Sequence, residues 1–345
     1  MKIAVDVMSG DHAPEILVQG AVEAANELNV HVVLVGNRKI IESALTKQKL
    51  LKENLLEIED ASEVILMTDE PVEAFKQKKD SSVVKAANLL KAGAVDAFLS
   101  PGNTGATFIA SLMINGRIKG VDRPAIATFL PTVNKEPLIL LDAGANLDCK
   151  VINYIQYAVM GEVFIERYFN KSQPKIAILN VGTEKSKGPD ILKKTYKTMD
   201  KMNLNFIGNI EAKHVLDGKA NVIITDGFSG NLFLKSLEGT FKSIIHILKN
   251  EINKSVVSKT GALLMKPAFS GLKKMVAAEE FGAAPLLGIN GAAMVAHGDS
   301  KAQDIKSGIR MTINLVKAKI YDGIVDGLAK YKVGRLHFPI WHLKE

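Results

Sequence analysis

Short runs of aliphatic and β-branched residues recur along the chain, separated by stretches whose apolar positions repeat every three to four residues. Residues 3–7, 30–36, 55–59, 94–99, 125–130, 138–141, 175–180, 205–207 and 221–225 read as strands. Residues 14–28, 37–51, 81–92, 104–115, 149–169 and 189–202 read as helices, and a long helix is expected to start at Asn231. Strands that are apolar throughout, rather than on alternate positions, are buried on both faces, so the pattern predicts a mainly parallel sheet with helices on both sides. PTVNKEP, between the runs at 125–130 and 138–141, reads as a hairpin connection. From 253 to 272 Ser, Lys, Thr, Gly and Pro break the pattern and no strand fits. A last helix is expected over 300–331, and the tail FPIWHLKE is expected to pack into a surface groove. The expected fold is α/β, one unit over 1–345 made of one large sheet or two closely joined subdomains, with 240–275 as a basic amphipathic helical protrusion.

Four strands run into loops of Gly, Asn, Ser, Thr and Asp: SPGNTGAT at 100–107, LDAGAN at 141–146, NVGTEKSKG at 180–188 and TDGFSGN at 225–231. Glycine allows a backbone to approach a ligand closely, and a loop that opens a helix offers free N–H groups to an anion. Four such loops predict a composite site for a phosphate-like group. The opening loop MSGDHAP adds Asp11 and His12 at the end of the first strand, where ligands of open α/β sheets bind.

The candidate anion cradle comprises Gly102, Asn103, Thr104 and Gly105 in the first loop and Asp226, Gly227, Ser229 and Gly230 in the last. No Walker sequence or dinucleotide fingerprint is present. Asn146 and Asn231 are candidates for polarising a carbonyl, with a capped turn an equally good reading of LDAGAN. Lys185 and Lys187 supply the only cations in the four loops. Cys149 lacks an activating neighbour and reads as a bystander, and Ser229 lacks the elbow sequence of an acyl-serine, so an N-cap or oxyanion role fits it better.

Charge and composition narrow the class. The net charge is +7, and between 240 and 275 seven lysines stand against one acid, Glu251. Interspersed aliphatic residues and scarce arginine argue against nucleic acid and for an anionic membrane or acidic protein. Leu263, Leu264 and Met265, flanked by lysines, form an apolar tip suited to resting on such a membrane. One cysteine and the absence of a signal sequence, a membrane-length apolar run or a zinc spacing predict a soluble cytoplasmic protein with no metal and no cofactor.

The motifs DVMSGDHAP, KKDSS, SPGNTGA, RPAIA, LDAGAN, NVGTEKSKG, DGFSGN, GAAPLLGING and AHGDS, in this order over nearly the whole chain, resemble the bacterial acyl-ACP:phosphate acyltransferase (PlsX) family of phospholipid synthesis. Val7, Ser9 and Pro101 depart from the usual pattern without removing a polar group. The resemblance implies transfer of a fatty acyl group from acyl carrier protein to inorganic phosphate and a fold like isopropylmalate dehydrogenase and phosphotransacetylase. It also implies a homodimer, peripheral attachment to the membrane, and delivery of acyl phosphate to a membrane glycerol-3-phosphate acyltransferase. In that reaction Lys187, helped by Lys185, is expected to neutralise phosphate in the glycine cradle. Asn146 or Asn231 polarises the thioester, and His12 with Asp11 forms the acid–base or orienting pair. The alternatives are a phosphotransacetylase-type acyl-CoA:phosphate transferase, an NAD- and metal-dependent dehydrogenase, and a membrane-surface scaffold without catalysis.

Overall fold

The computed structural model describes residues 1–49, 53–267, 269 and 282–333. Its apolar runs assemble into two sheets. In the first, β3 (Leu56–Asp60), β2 (His31–Gly36), β1 (Lys2–Asp6), β4 (Ala97–Ser100) and β12 (Ala292–Val295) run parallel in that order. β11 (Ala284–Leu287) follows antiparallel to β12, and β5 (Ala125–Ile126) antiparallel to β11. The second sheet runs β6 (Thr128–Phe129), β7 (Ile139–Leu141), β10 (Val222–Ile224), β8 (Ile176–Asn180) and β9 (Phe206–Glu211), all parallel except the edge strand β6. The run expected at 125–130 is therefore divided between the sheets, with Ala127 at the crossing, while β6 and β7 form the expected hairpin.

The helices are α1 (Glu15–Leu28), α2 (Arg38–Leu45), α3 (Pro71–Gln77), α4 (Ser82–Lys91), α5 (Thr104–Ala110), α6 (Val151–Phe169), α7 (Asp190–Met199), α8 (Gly227–Asn253), α9 (Val256–Leu264), α10 (Ala302–Lys317) and α11 (Ile320–Lys330). α6 is buried on nearly every face, as its almost continuous apolar sequence requires. One hydrophobic cluster includes Ile3 and Leu34 of the first sheet, Tyr154 and Ile155 of α6, and Ile178 and Val222 of the second.

Several elements differ from the sequence reading. α3 was not expected; Glu70 caps it through the Glu73 N–H, and Pro71 starts it. β11 and β12 were missed because PLL and AAMV are too short and too rich in small residues to announce strands; β12 is held by its neighbour β4. α8 begins at Gly227, four residues early, because Asp226 caps it. The single helix expected over 300–331 breaks at Lys319, whose φ of +50° lies in the left-handed region. The Lys319 carbonyl accepts both from the Gly323 N–H at 3.0 Å, as the first bond of α11, and from the Arg167 guanidinium at 2.8 Å. The tail at 338–345 and residues 268 and 270–275 of the lysine-rich segment lie outside the described residues.

Candidate active site

Parallel strands place their following loops on one edge, so the loops after β1, β4 and β12 are neighbours on the first sheet, and those after β7, β10 and β8 on the second. Buried Asp6 fixes the first group. Its carboxylate accepts from the N–H groups of Met8 and Ser9 at 3.1 and 3.2 Å and from the Ser100 hydroxyl at 2.8 Å. The Asp11 N–H donates to the Gly298 carbonyl at 2.8 Å, joining the loop after β1 to that after β12.

The second group is built round Asp142. Its carboxylate accepts from the N–H groups of Ile126, Gly144, Ala145 and Asn146 and from the Asn146 side-chain amide. Burial pushes this carboxyl up, and the N–H donors oppose the rise. α6 braces both of the loops beside α8. The Tyr154 hydroxyl donates to Asp226 Oδ2 at 3.1 Å, and the Tyr157 hydroxyl accepts from Asn146 Nδ2 at 3.0 Å. α8 can come this close only through glycine. A Cβ at Gly227 would lie 2.7 Å from the Asn146 backbone, and one at Gly230 2.0 Å from the Asp142 carbonyl oxygen.

Between the two groups lies a cleft of about 1040 Å³. Its polar lining includes Thr104, Gly105, Asn231, His297, Asp299 and Ser300; its apolar lining includes Phe108, Ile109, Ile126, Phe129 and Leu234. Asn231, exposed on the first turns of α8, lies against Gly144, where an added Cβ would meet its side chain at 3.5 Å. Thr104 and Gly105 carry the orphan N–H groups of the first turn of α5.

The structure divides the residues expected from sequence. Thr104, Gly105 and Asn231 line the cleft. Asn146 does not present a free amide: its Nδ2 donates to the Pro124 carbonyl, Asp142 and Tyr157, so it positions its loop and Asn231 is left as the polarising candidate. Asn103 caps α5 through the Ala106 N–H and donates to the Asp69 carbonyl at 3.0 Å, so it too is scaffold. The Gly102 N–H is bonded to the Ser100 hydroxyl. The N–H groups of Gly227, Ser229 and Gly230 are spent on Asn146 O, Asp226 Oδ1 and Asp226 O, which removes most of the anticipated second cradle. Asp226 is the N-cap of α8, and the Ser229 hydroxyl donates back to it.

The partner of His12 is also different. Its Nε2 lies 2.7 Å from Asp299 Oδ1, whereas Asp11 contributes its backbone to the Gly298 contact. Asp299 and the cleft-lining His297, which accepts from the Asp299 N–H at 3.2 Å, were not read as site residues, although AHGDS was visible as a motif. Lys185 and Lys187 sit on the loop after β8, one strand beyond β10, and are not part of the cleft lining. Lys185 pairs with Asp200 at 3.3 Å, which raises its ammonium, and Lys187 approaches Glu184 at 4.0 Å.

The His12 contact holds the Asp299 carboxyl below the usual carboxylate range. With a folded value lowered in this way, the carboxylate's contribution is complete above the ordinary value of about 3.9 and fades only as pH falls through the lower one. Asp299 is therefore ionised at neutral pH. Asp299→Asn is expected to lower kcat by about tenfold or more, since a positioned acid or base typically contributes about 10²–10⁴-fold and Asp299 acts on it through His12. Adding His12→Ala should cost little more than the worse single change. Fully multiplicative losses in a double-mutant cycle would show that the two do not act together.

Burial pushes the Cys149 thiol up to about 11, so little thiolate exists at neutral pH. Cys149→Ala is expected to keep activity within about threefold of wild type, since the thiol takes no bond-making role. A loss of a hundredfold in a folded variant would reinstate it as a nucleophile.

The family described as "Fatty acid synthesis protein" matches residues 1–322. The phosphate acyltransferase of Dictyoglomus turgidum is 45% identical over 331 residues, covering 96% of this chain and 98% of its own. That of Clostridioides difficile is 41% identical over 331 residues, covering 96% and 97%. Among solved structures, a phosphotransacetylase from Streptococcus pyogenes superposes with a TM-score of 0.60 at 19% identity, covering 92% of this chain and 94% of its own, a likeness of fold.

Proposed function

The chain belongs to the phosphate acyltransferase family, and from that premise we propose that it moves a fatty acyl group from the thioester of acyl carrier protein to inorganic phosphate. The observation that carries this reading is the cleft, polar at Thr104, Asn231 and Asp299 and apolar at Phe108 and Leu234. A covalent acyl-enzyme is not part of the proposal: the Ser229 hydroxyl is bonded to the Asp226 carboxylate and the Cys149 thiol is raised.

In the proposed reaction a phosphate oxygen attacks the thioester carbon and a new C–O bond forms. The carbonyl electrons move onto oxygen, where the Asn231 amide donates to the developing charge. Collapse breaks the C–S bond, and the thiolate leaves with the electron pair. Free thiols have pKa values near about 8.5, so this leaving group is good. The proton that hydrogen phosphate loses on becoming acyl phosphate is the one the thiolate takes up, passed through His12 held by Asp299. The orphan N–H groups of Thr104 and Gly105 orient phosphate. Lys187, on the loop after β8 and outside the cleft lining, is the candidate counter-charge whose part the Lys187→Ala test decides.

We further assign the α8–α9 pair to association. Ile244, Val256, Val257 and Leu264 are exposed, Val257 by 83% and Leu264 by 79%. An apolar surface among lysines supports homodimer formation, an acidic carrier as donor, and peripheral attachment of Leu263, Leu264 and Met265 to the inner face of an anionic membrane. Among the described residues no helix is long and apolar enough to cross a membrane. The acyl phosphate would pass to a membrane glycerol-3-phosphate acyltransferase.

The test is to incubate the protein with phosphate and palmitoyl-carrier or acetyl-CoA, trapping acyl phosphate with hydroxylamine. Palmitoyl hydroxamate is the expected product, and a preference for acetyl-CoA would overturn the proposed donor. Lys187→Ala with unchanged turnover would remove that lysine from the site, and Leu264→Glu should release the protein from anionic liposomes.

A further inference from the structure

The cleft is larger than phosphate and a thioester require. Its volume of about 1040 Å³ stands just above the roughly 300–1,000 Å³ typical of small-molecule pockets. Two helices line it in the same sense. On α5, Thr104 and Phe108 are four residues apart, and on α8, Asn231 and Leu234 are three apart. Both spacings put the pair on one helix face, so each helix carries a polar residue at its first turns and a large apolar one a turn further along. Phe108 and Leu234 are only partly buried, although each packs in part against the core. Leu234 packs against two core clusters, one including residues of the first sheet and one residues of the second.

The lining continues at the crossing between the sheets, where Ile126 of β5 and Thr128 and Phe129 of β6 all contribute. Ile126 and Phe129 are buried, and Thr128 is partly open. A half-buried apolar residue alone is ordinary on a protein surface. Here the half-buried residues share one cavity with the groups assigned to the thioester.

We propose that the fatty acyl chain lies between Phe108 and Leu234 and reaches the sheet crossing at Thr128, so that these three side chains set the chain length accepted. The inference rests on the acyl-transfer reading above. The carbonyl is held beside Asn231, and the methylenes run from there onto Leu234 and Phe108. Each methylene so covered leaves water, which favours long chains over short ones. A bulkier side chain at the crossing excludes the distal methylenes while leaving the reacting carbon in place.

The experiment compares octanoyl- and palmitoyl-carrier as donors for the wild type, Thr128→Phe, Leu234→Trp and Phe108→Ala. Thr128→Phe and Leu234→Trp should each lower the palmitoyl-to-octanoyl ratio of kcat/KM by at least about tenfold, the loss of a few buried methylenes. Octanoyl transfer should be largely kept in Thr128→Phe and lowered less than palmitoyl transfer in Leu234→Trp. Phe108→Ala should also lower the ratio, because it leaves methylenes of the longer chain uncovered. An unchanged ratio in the folded variants, or an equal loss with both donors, would overturn the channel while leaving the reaction intact. If Thr128→Phe does not fold, Leu234→Trp, on a partly exposed helix position, decides the matter. Binding of cis-parinaric acid, followed by its fluorescence, needs no turnover. Weakened binding in Leu234→Trp supports the channel even if the wild type makes no acyl phosphate, and unchanged binding overturns it. Absence of acyl phosphate from the wild type would instead remove the proposed function.

Discussion

Asn231→Ala is expected to lower kcat by about 10²–10³, the usual cost of removing one oxyanion donor. The loss should appear equally in kcat/KM, because the hydrogen bond strengthens only as charge develops on the carbonyl oxygen. Stability should scarcely move. Asn231 is exposed within α8, and alanine is the better helix former. Asn231→Asp should be at least as poor, since it places a negative charge where phosphate and the oxyanion gather. Trapped acyl hydroxamate gives the rate and a thermal melt gives the stability. Wild-type turnover in either folded variant would transfer the role to another group.

The second large effect is structural. Gly230→Ala would place a methyl 2.0 Å from the Asp142 carbonyl oxygen and 2.9 Å from Thr225 Cγ2. The first neighbour is backbone, anchored by the N–H groups that surround the Asp142 carboxylate, so α8 must move instead. Overpacking of this kind costs about 1–3 kcal/mol, and the displacement carries Asn231, the next residue, with it. Both melting temperature and kcat should fall. Gly239→Ala on the same helix is the control, because an added Cβ there meets nothing within 4 Å. It should stabilise by about 0.5–1 kcal/mol, the ordinary gain of alanine over glycine in a helix. A Gly230→Ala protein as stable and active as this control would show that the close approach is dispensable.

What could be read from sequence was local. β1, β2, β8 and β10 stand where their aliphatic runs fall, since a strand buried on both faces has to be apolar throughout. The loops after β4, β7, β8 and β10 were visible through glycine and small polar residues. The roles inside them were not, because those depend on distant partners. His12 and Asp299 are 287 positions apart, and no spacing rule relates them. Asn103 has the composition of an anion-binding loop, but its side chain is committed to Ala106 and the 66–69 segment. Asn146 was visible as a polar residue among small ones, but the three acceptors round its amide come from separate stretches of chain. β11 and β12 show the same limit in the backbone: their small residues become strands because β4 and β5 lie beside them.

Tyr154 and Tyr157 give this arrangement a built-in ruler. They are three residues apart on one buried helix, so the rise between them is about 4.5 Å. One grips the cap of α8 and the other grips the loop after β7. The spacing of the two loops is thus measured by helix pitch rather than by loop length. Inserting one residue between the tyrosines would turn one of them by about 100° relative to the other. The two loops could then no longer be gripped together, even with every residue of the cleft itself left unchanged.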